Sequence, residues 1–143
     1  MRYFILVLVL VACTSKEKKE VKEYPVLETM GYYQRFSQKL WLAGKNQNWE
    51  LADFYTHELE EVTENLIDGD VIHDNYNLSN LSEDIFLPKI EKVEEAIRKK
   101  DEVLFLENYE LMIGSCNLCH NTTKHNFIKI MVPNDTTIWN QDF

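Results

Sequence analysis

Apolar residues recur along most of this chain at steps of three and four, the period of helices that bury one face. Residues 26–43 carry Met30, Tyr33 and Leu40 at that spacing, and Gly44 is the expected stop. Residues 49–67 repeat the pattern through Ala52, Tyr55, Leu59, Val62 and Leu66, with Gly69 as a second stop. Residues 70–81 are polar and asparagine-rich and read as a loop. Ser82 with Glu83 and Asp84 opens a third helix along Phe86, Ile90, Val93 and Ile97. Pro88 falls inside that line, so a kink or a start nearer Leu87 is expected. Asp101 caps a fourth helix through Val103, Leu106, Tyr109, Ile113 and Cys116, running to about Lys124. Four amphipathic segments with short connections predict an all-α fold, an antiparallel four-helix bundle. The extended C-terminal tail holds Phe127, Ile128, Ile130, Val132, Ile138, Trp139 and Phe143. It is too apolar to stay in water and is expected to pack across the bundle. No internal repeat or low-complexity tract appears.

The first residues follow a different rule. Met1 and Arg2 precede an apolar run over 3–12, which breaks at Cys13. A run this short does not cross a bilayer core, which takes about 20 residues as a helix. A positive start, a short apolar core and small residues before a cut are the organisation of a secretory signal. The ending LVAC over 10–13 resembles the lipobox of bacterial lipoproteins. That resemblance implies cleavage before Cys13, a diacylglycerol on its sulfur and an acyl group on its new amine. Several acyl chains anchor stably, whereas one alone binds marginally. The plainer alternative is a secretory signal followed by an incidental cysteine. The stretch TSKEKKEVKE over 14–23 has no apolar face and reads as a flexible stalk. The expected organisation is therefore a signal peptide over 1–12, a lipidated tether over 13–25 and a folded domain over 26–143.

Composition narrows the function classes. A chain of 143 residues, 45% hydrophobic and 27% charged, suits one globular domain. Only 4 glycines and 3 prolines disfavour an all-β protein rich in tight turns. A formal charge of −9 argues against general affinity for nucleic acid or anionic lipid. Between Lys45 and Lys89 no Lys or Arg occurs, against eleven Asp and Glu, among them Glu60, Glu61, Glu64, Asp68, Asp70 and Asp74. Such a run reads as a solvated face, or as a surface that steers docking onto a basic redox partner and weakens with salt.

The chemistry lies in CNLCH over 116–120. Cys116 and Cys119, three apart on a helix, share a face, and His120 continues it. That geometry lets two sulfurs join the vinyl groups of haem while the imidazole reaches iron, the reading given to C-x-x-C-H. A zinc site would need about four ligands, and no second Cys/His pair is visible. A thioredoxin-like pair belongs after a strand, not far along a fourth helix. A disulfide between the two explains neither the spacing nor the histidine. Three cysteines are too few for a disulfide scaffold.

C-x-x-C-H near the end of a four-helix bundle resembles the class II cytochromes c, the cytochrome c-prime superfamily. The phrases KLWLAG (39–44), NWELA (48–52), CNLCH (116–120) and NQDF (140–143) are similar to those of a group of small bacterial haem proteins, and His125, Phe127, Ile128 and Pro133 suit that group's tail. The resemblance implies one covalent haem c, with redox or gas-binding chemistry. We expect a membrane-tethered monohaem cytochrome on the periplasmic side of a bacterial membrane, carrying single electrons to a protein partner. It would be a carrier and not an enzyme, with no catalytic residues and with a dimer among its open oligomeric states. A five-coordinate gas-binding or gas-sensing protein is the alternative.

The distal ligand follows from helix bookkeeping. In an up-down-up-down bundle the first helix starts where the fourth ends. Met30 and His120 then each lie roughly 6 Å in from the same end, at about 1.5 Å per residue. Six-coordinate class II proteins take a methionine from this part of the first helix, and Gly31 leaves room beside it. His73 in the loop is the competitor. Trp41 and Trp49 are expected to be packing residues, His57 a surface histidine, and His125 and Met112 too badly placed to reach the iron. Gly114 either admits the macrocycle or is a small packing residue.

Overall fold

A computed structural model of the chain describes residues 24–134 and Gln141. The leader, Cys13, the tether up to residue 23 and Ile138, Trp139 and Phe143 lie outside the described residues. The fold is an all-α bundle of α1 (Val26–Lys45), α2 (Trp49–Asp68), a composite third helix and α5 (Glu102–Thr122). The third helix comprises a short α3 (Leu78–Leu81), a π-helical turn (Ser82–Phe86) and α4 (Leu87–Lys99). α1 packs along α2, α2 on α4, and α4 on α5, which closes three sides of a four-sided ring. No described helix is long and apolar enough to cross a membrane.

The predicted lines supply the core, with instructive exceptions. Leu40, Leu59, Ile90, Val93, Phe105 and Tyr109 are wholly enclosed. Each withdrawn apolar side chain contributes roughly 1.5–3 kcal/mol. On α2 the buried column takes Thr56 and Thr63, while Val62 is half-buried. Both threonines satisfy their hydroxyls by donating to the carbonyl four residues back, Ala52 O at 2.9 Å and Leu59 O at 2.6 Å. On α5 the column passes through Phe105, Tyr109, Met112 and Ile113, and Val103 is exposed.

The 70–81 segment departs from the expected loop. Ile72–His73 and Tyr76–Asn77 pair as a minimal antiparallel hairpin. Asp74 and Asn75 at its turn take φ of 49° and 65°, the mirror-image conformation that short Asx side chains tolerate. Asn77, not Ser82, caps the third helix by accepting from Asn80 N at 2.9 Å. Pro88 has no N–H, and its ring would collide with the carbonyl four residues back. The third helix does not begin at Leu87: it starts at Leu78, widens into the π turn just before the proline and continues as α4 from Leu87.

Helix termination also differs from expectation. Neither Gly44 nor Gly69 takes a left-handed conformation. That conformation falls on Gln47, Asp70, Lys100 and Lys124, just beyond α1, α2, α4 and α5. Gly44 lies within α1, buried, and a Cβ on it would overlap the ring of Phe105. It is a close-approach glycine that lets α1 and α5 touch. Trp41 stacks on Phe105 at 6.4 Å and Trp49 meets the same ring edge-on at 6.1 Å, the packing roles expected of them.

Gly44→Ala should destabilise the protein by roughly 1–3 kcal/mol, as overpacking of a filled core does. Lys100→Gly should stabilise it by about 1 kcal/mol by relieving a side chain held at positive φ. Urea unfolding midpoints check both. An unchanged midpoint for Gly44→Ala would mean that Phe105 yields without cost.

Candidate functional site

α1 and α5 meet at one end of the bundle. At the closed end Phe105 packs on Gly44, Trp41 lies 4.8 Å from the Tyr109 ring, and Tyr109 donates to Ser37 O at 2.8 Å. Toward the start of α1 and the end of α5 both helices line an apolar cavity of about 300 Å³, at the small end of the usual range for ligand sites.

Its lining brings together most of the residues singled out in the sequence. Cys116, Cys119 and His120 come from α5, Met30 and Gly31 from α1, and Phe86 from the π turn. Ile128 and Ile130 of the tail close another side. Leu27 also lines it while remaining 86% exposed. A Cβ on Gly31 would meet nothing within 4 Å, so space lies beside Met30. Gly114 is exposed with nothing near a Cβ, which removes the small packing role, and it lies outside the cavity lining, which leaves the admission of a macrocycle without support.

His120 is oriented by the tail. Its Nδ1 lies 3.0 Å from Ile128 O. A carbonyl only accepts, so Nδ1 carries the proton and Nε2 keeps its lone pair for a metal. Just before it, Asn117 pairs with the backbone of Ile130, donating to its carbonyl at 2.9 Å and accepting from its N–H at 2.8 Å.

The thiols are free and shielded. Burial pushes the Cys116 thiol up to about 12, with Cys119 beside it a lesser cause. Burial also raises Cys119. A thiol-exchange pair needs the opposite, a depressed pKa. Among the described residues no group of three or more His, Cys, Asp or Glu is arranged to hold a metal ion, so the four-ligand zinc arrangement finds no support.

The other histidines stand elsewhere. His57 is exposed, as expected. His73 sits on the hairpin outside the cavity lining, with Nε2 3.7 Å from Asp74 Oδ2. His125 lies beyond the end of α5, not on it, and its Nε2 is 3.6 Å from the same carboxylate oxygen. Met112 is fully enclosed in the core. Of the two distal candidates, only Met30 lines the cavity.

Three contributors to the site escaped the sequence. Tyr33 was visible only as an apolar helix position. Its hydroxyl is buried without a well-formed hydrogen bond, although the Thr63 and Ser82 hydroxyls are beside it. Asn117 occupies a position where the haem motif accepts any residue. The π turn depends on a proline whose effect on helix width no periodicity reveals.

Two thiols one turn apart, an imidazole with an unprotonated Nε2 and a thioether thus line one cavity, donors of the kinds that can hold a haem. The apolar lining suits a flat, greasy ring. Comparison of the chain with family models, with curated proteins and with solved structures gave no match.

In the haem-free protein, Cys116 should alkylate about a hundredfold more slowly at pH 8 than an unshielded cysteine. Its rate should climb until the pH nears 12, as the thiolate forms. Mass spectrometry after timed iodoacetamide quenching measures this. A rate like that of an exposed thiol would contradict the shielded site.

Proposed function

We propose that this chain is a monohaem c-type cytochrome, lipid-anchored on the periplasmic side of a bacterial membrane, which carries single electrons. The observation that supports it most is the convergence of Cys116, Cys119, His120 and Met30 on one apolar cavity. Cys116 and Cys119 hold the porphyrin through thioether bonds, and His120 Nε2 binds the iron. Bound haem supplies a one-electron iron couple whose potential depends on axial ligands, hydrogen bonds and burial. The chain's own part is to exclude water with Phe86, Ile128 and Ile130 and to orient His120 through Ile128 O. Met30 supplies the sixth ligand.

The partner is a redox protein with a basic docking face. Most of the acidic run lies on α2, where Glu60's carboxyl is pushed up by partial burial and by the carboxylates of Glu94 and Glu64. Association with that partner weakens as salt screens the charges.

A five-coordinate gas-binding protein is the second reading. Tyr33 favours it, because a buried hydroxyl on the cavity lining, beside Thr63 and Ser82 but without a well-formed hydrogen bond, can turn to a small polar ligand.

Absorption spectra of protein made with a c-type maturation system test these readings. The wild type should show a reduced c-type spectrum and, when oxidised, the weak near-red methionine-to-iron band. Met30→Ala should lose that band, open the reduced iron to carbon monoxide and lower the midpoint potential. A wild type that lacks the band and binds carbon monoxide readily favours the gas-binding protein, and a colourless wild type refutes both.

The anchor is tested separately. Wild-type protein should partition into detergent, and Cys13→Ser should block processing or release a soluble form. An intact leader on the mature wild type would refute lipidation.

A further inference from the structure

The tail beyond α5 turns back along the helix that carries the cysteines and histidine. His125 N donates to His120 O at 2.7 Å, and Ile128 N to His125 O at 2.9 Å, which makes two tight reversals. The returning strand is then gripped once by a side chain. Asn117 donates Nδ2–H to Ile130 O at 2.9 Å and accepts Ile130 N–H on Oδ1 at 2.8 Å. The same Nδ2 reaches Ile113 O at 3.2 Å, so the amide is fixed to its own helix as well. Ile130 packs on the main core and lines the cavity.

Ile128 is held on one side by its turn bond to His125 O, although the residue is 43% exposed and its neighbour Phe127 78% exposed. Its carbonyl nevertheless has to stay at 3.0 Å from His120 Nδ1. The two-point bond to Ile130, two residues further on, fixes the chain on the other side of that carbonyl. An amide side chain paired with both backbone groups of one residue restrains that stretch of chain at two points, as a single bond does not.

We infer that Asn117 is a positioning residue: by clasping Ile130 it holds the Ile128 carbonyl on His120 Nδ1 and so fixes which imidazole nitrogen faces the cavity. Only a residue that presents a donor and an acceptor side by side does this. The substitution Asn117→Asp keeps the acceptor for Ile130 N–H but sets a carboxylate oxygen against Ile130 O. The substitution Asn117→Ala removes both bonds. The consequence for an iron rests on the haem assignment above, whereas the clasp and the tautomer do not. A firm Nδ1–H bond to a carbonyl makes the imidazole a stronger donor and stabilises the oxidised metal.

The test uses the full-length chain, haem-free and haem-loaded, as wild type, Asn117→Ala and Asn117→Asp. In the haem-free chain, Ile130 amide exchange should quicken roughly tenfold in Asn117→Ala, the equivalent of one lost hydrogen bond. It should quicken less in Asn117→Asp, and nitrogen NMR should show His120 passing from the Nδ1–H form to a mixture of tautomers. In the haem-loaded chain the midpoint potential should rise in Asn117→Ala and partly recover in Asn117→Asp, with the haem still attached. Should Asn117→Ala not fold, as circular dichroism would show, Asn117→Asp carries the comparison. Unchanged Ile130 exchange, or an unchanged His120 tautomer, overturns the clasp. A wild type that never takes up haem refutes the cytochrome assignment, and the exchange and tautomer data still decide the clasp.

Discussion

The contact of Phe105 with the bare backbone of Gly44 is the constraint on which the rest depends. It brings the end of α1 against the start of α5. Trp41, Trp49 and Tyr109 stack around Phe105 and make that end rigid, and Tyr109 ties it to α1 through Ser37 O. Toward the opposite end of the two helices lies a cavity whose lining includes Met30 and Cys116. One end of this helix pair is thus packed core and the other a candidate site.

The second feature is that the site is walled partly by chain outside the helices. The tail returns through Ile128 and Ile130, and Gln141 accepts from Tyr55 Oη at 2.8 Å and from Lys39 Nζ at 3.0 Å. Ile128 and Ile130 of this apolar segment line the cavity, whereas Phe127 and Met131, against the expectation of a packed tail, remain exposed. The segment carries the carbonyl that settles the state of His120. The backbone polarity of the tail and its apolar side chains act on the same imidazole, one by hydrogen bonding and one by keeping water away.

Much of this was legible in the sequence, for identifiable reasons. Helical periodicity found all four main helices, because burial of one face leaves a regular trace. The spacing of Cys116, Cys119 and His120 placed them together because they share one helix. The Met30 position followed from counting residues to a common bundle end, which depends only on rise and antiparallel order. What escaped depends on atoms far apart in sequence. Gly44 looked like a stop because its partner, Phe105, lies on another helix. The left-handed positions fell on Gln47, Asp70, Lys100 and Lys124, where no glycine marks them. Thr56 and Thr63 were buried despite their hydroxyls because a carbonyl one turn back accepts each proton. The hairpin and Asn117's grip on Ile130 are likewise pairings that no local pattern announces.

The account's central claim is that the open end of the bundle holds a haem covalently through Cys116 and Cys119. The most direct measurement is the intact mass of the denatured protein, expressed with a c-type maturation system, beside that of a Cys116→Ser/Cys119→Ser double variant. The wild type should be heavier than its processed polypeptide by one haem in addition to any lipid, and the variant should lack that increment. A wild type without the increment, under conditions in which a control cytochrome c acquires it, would contradict the account.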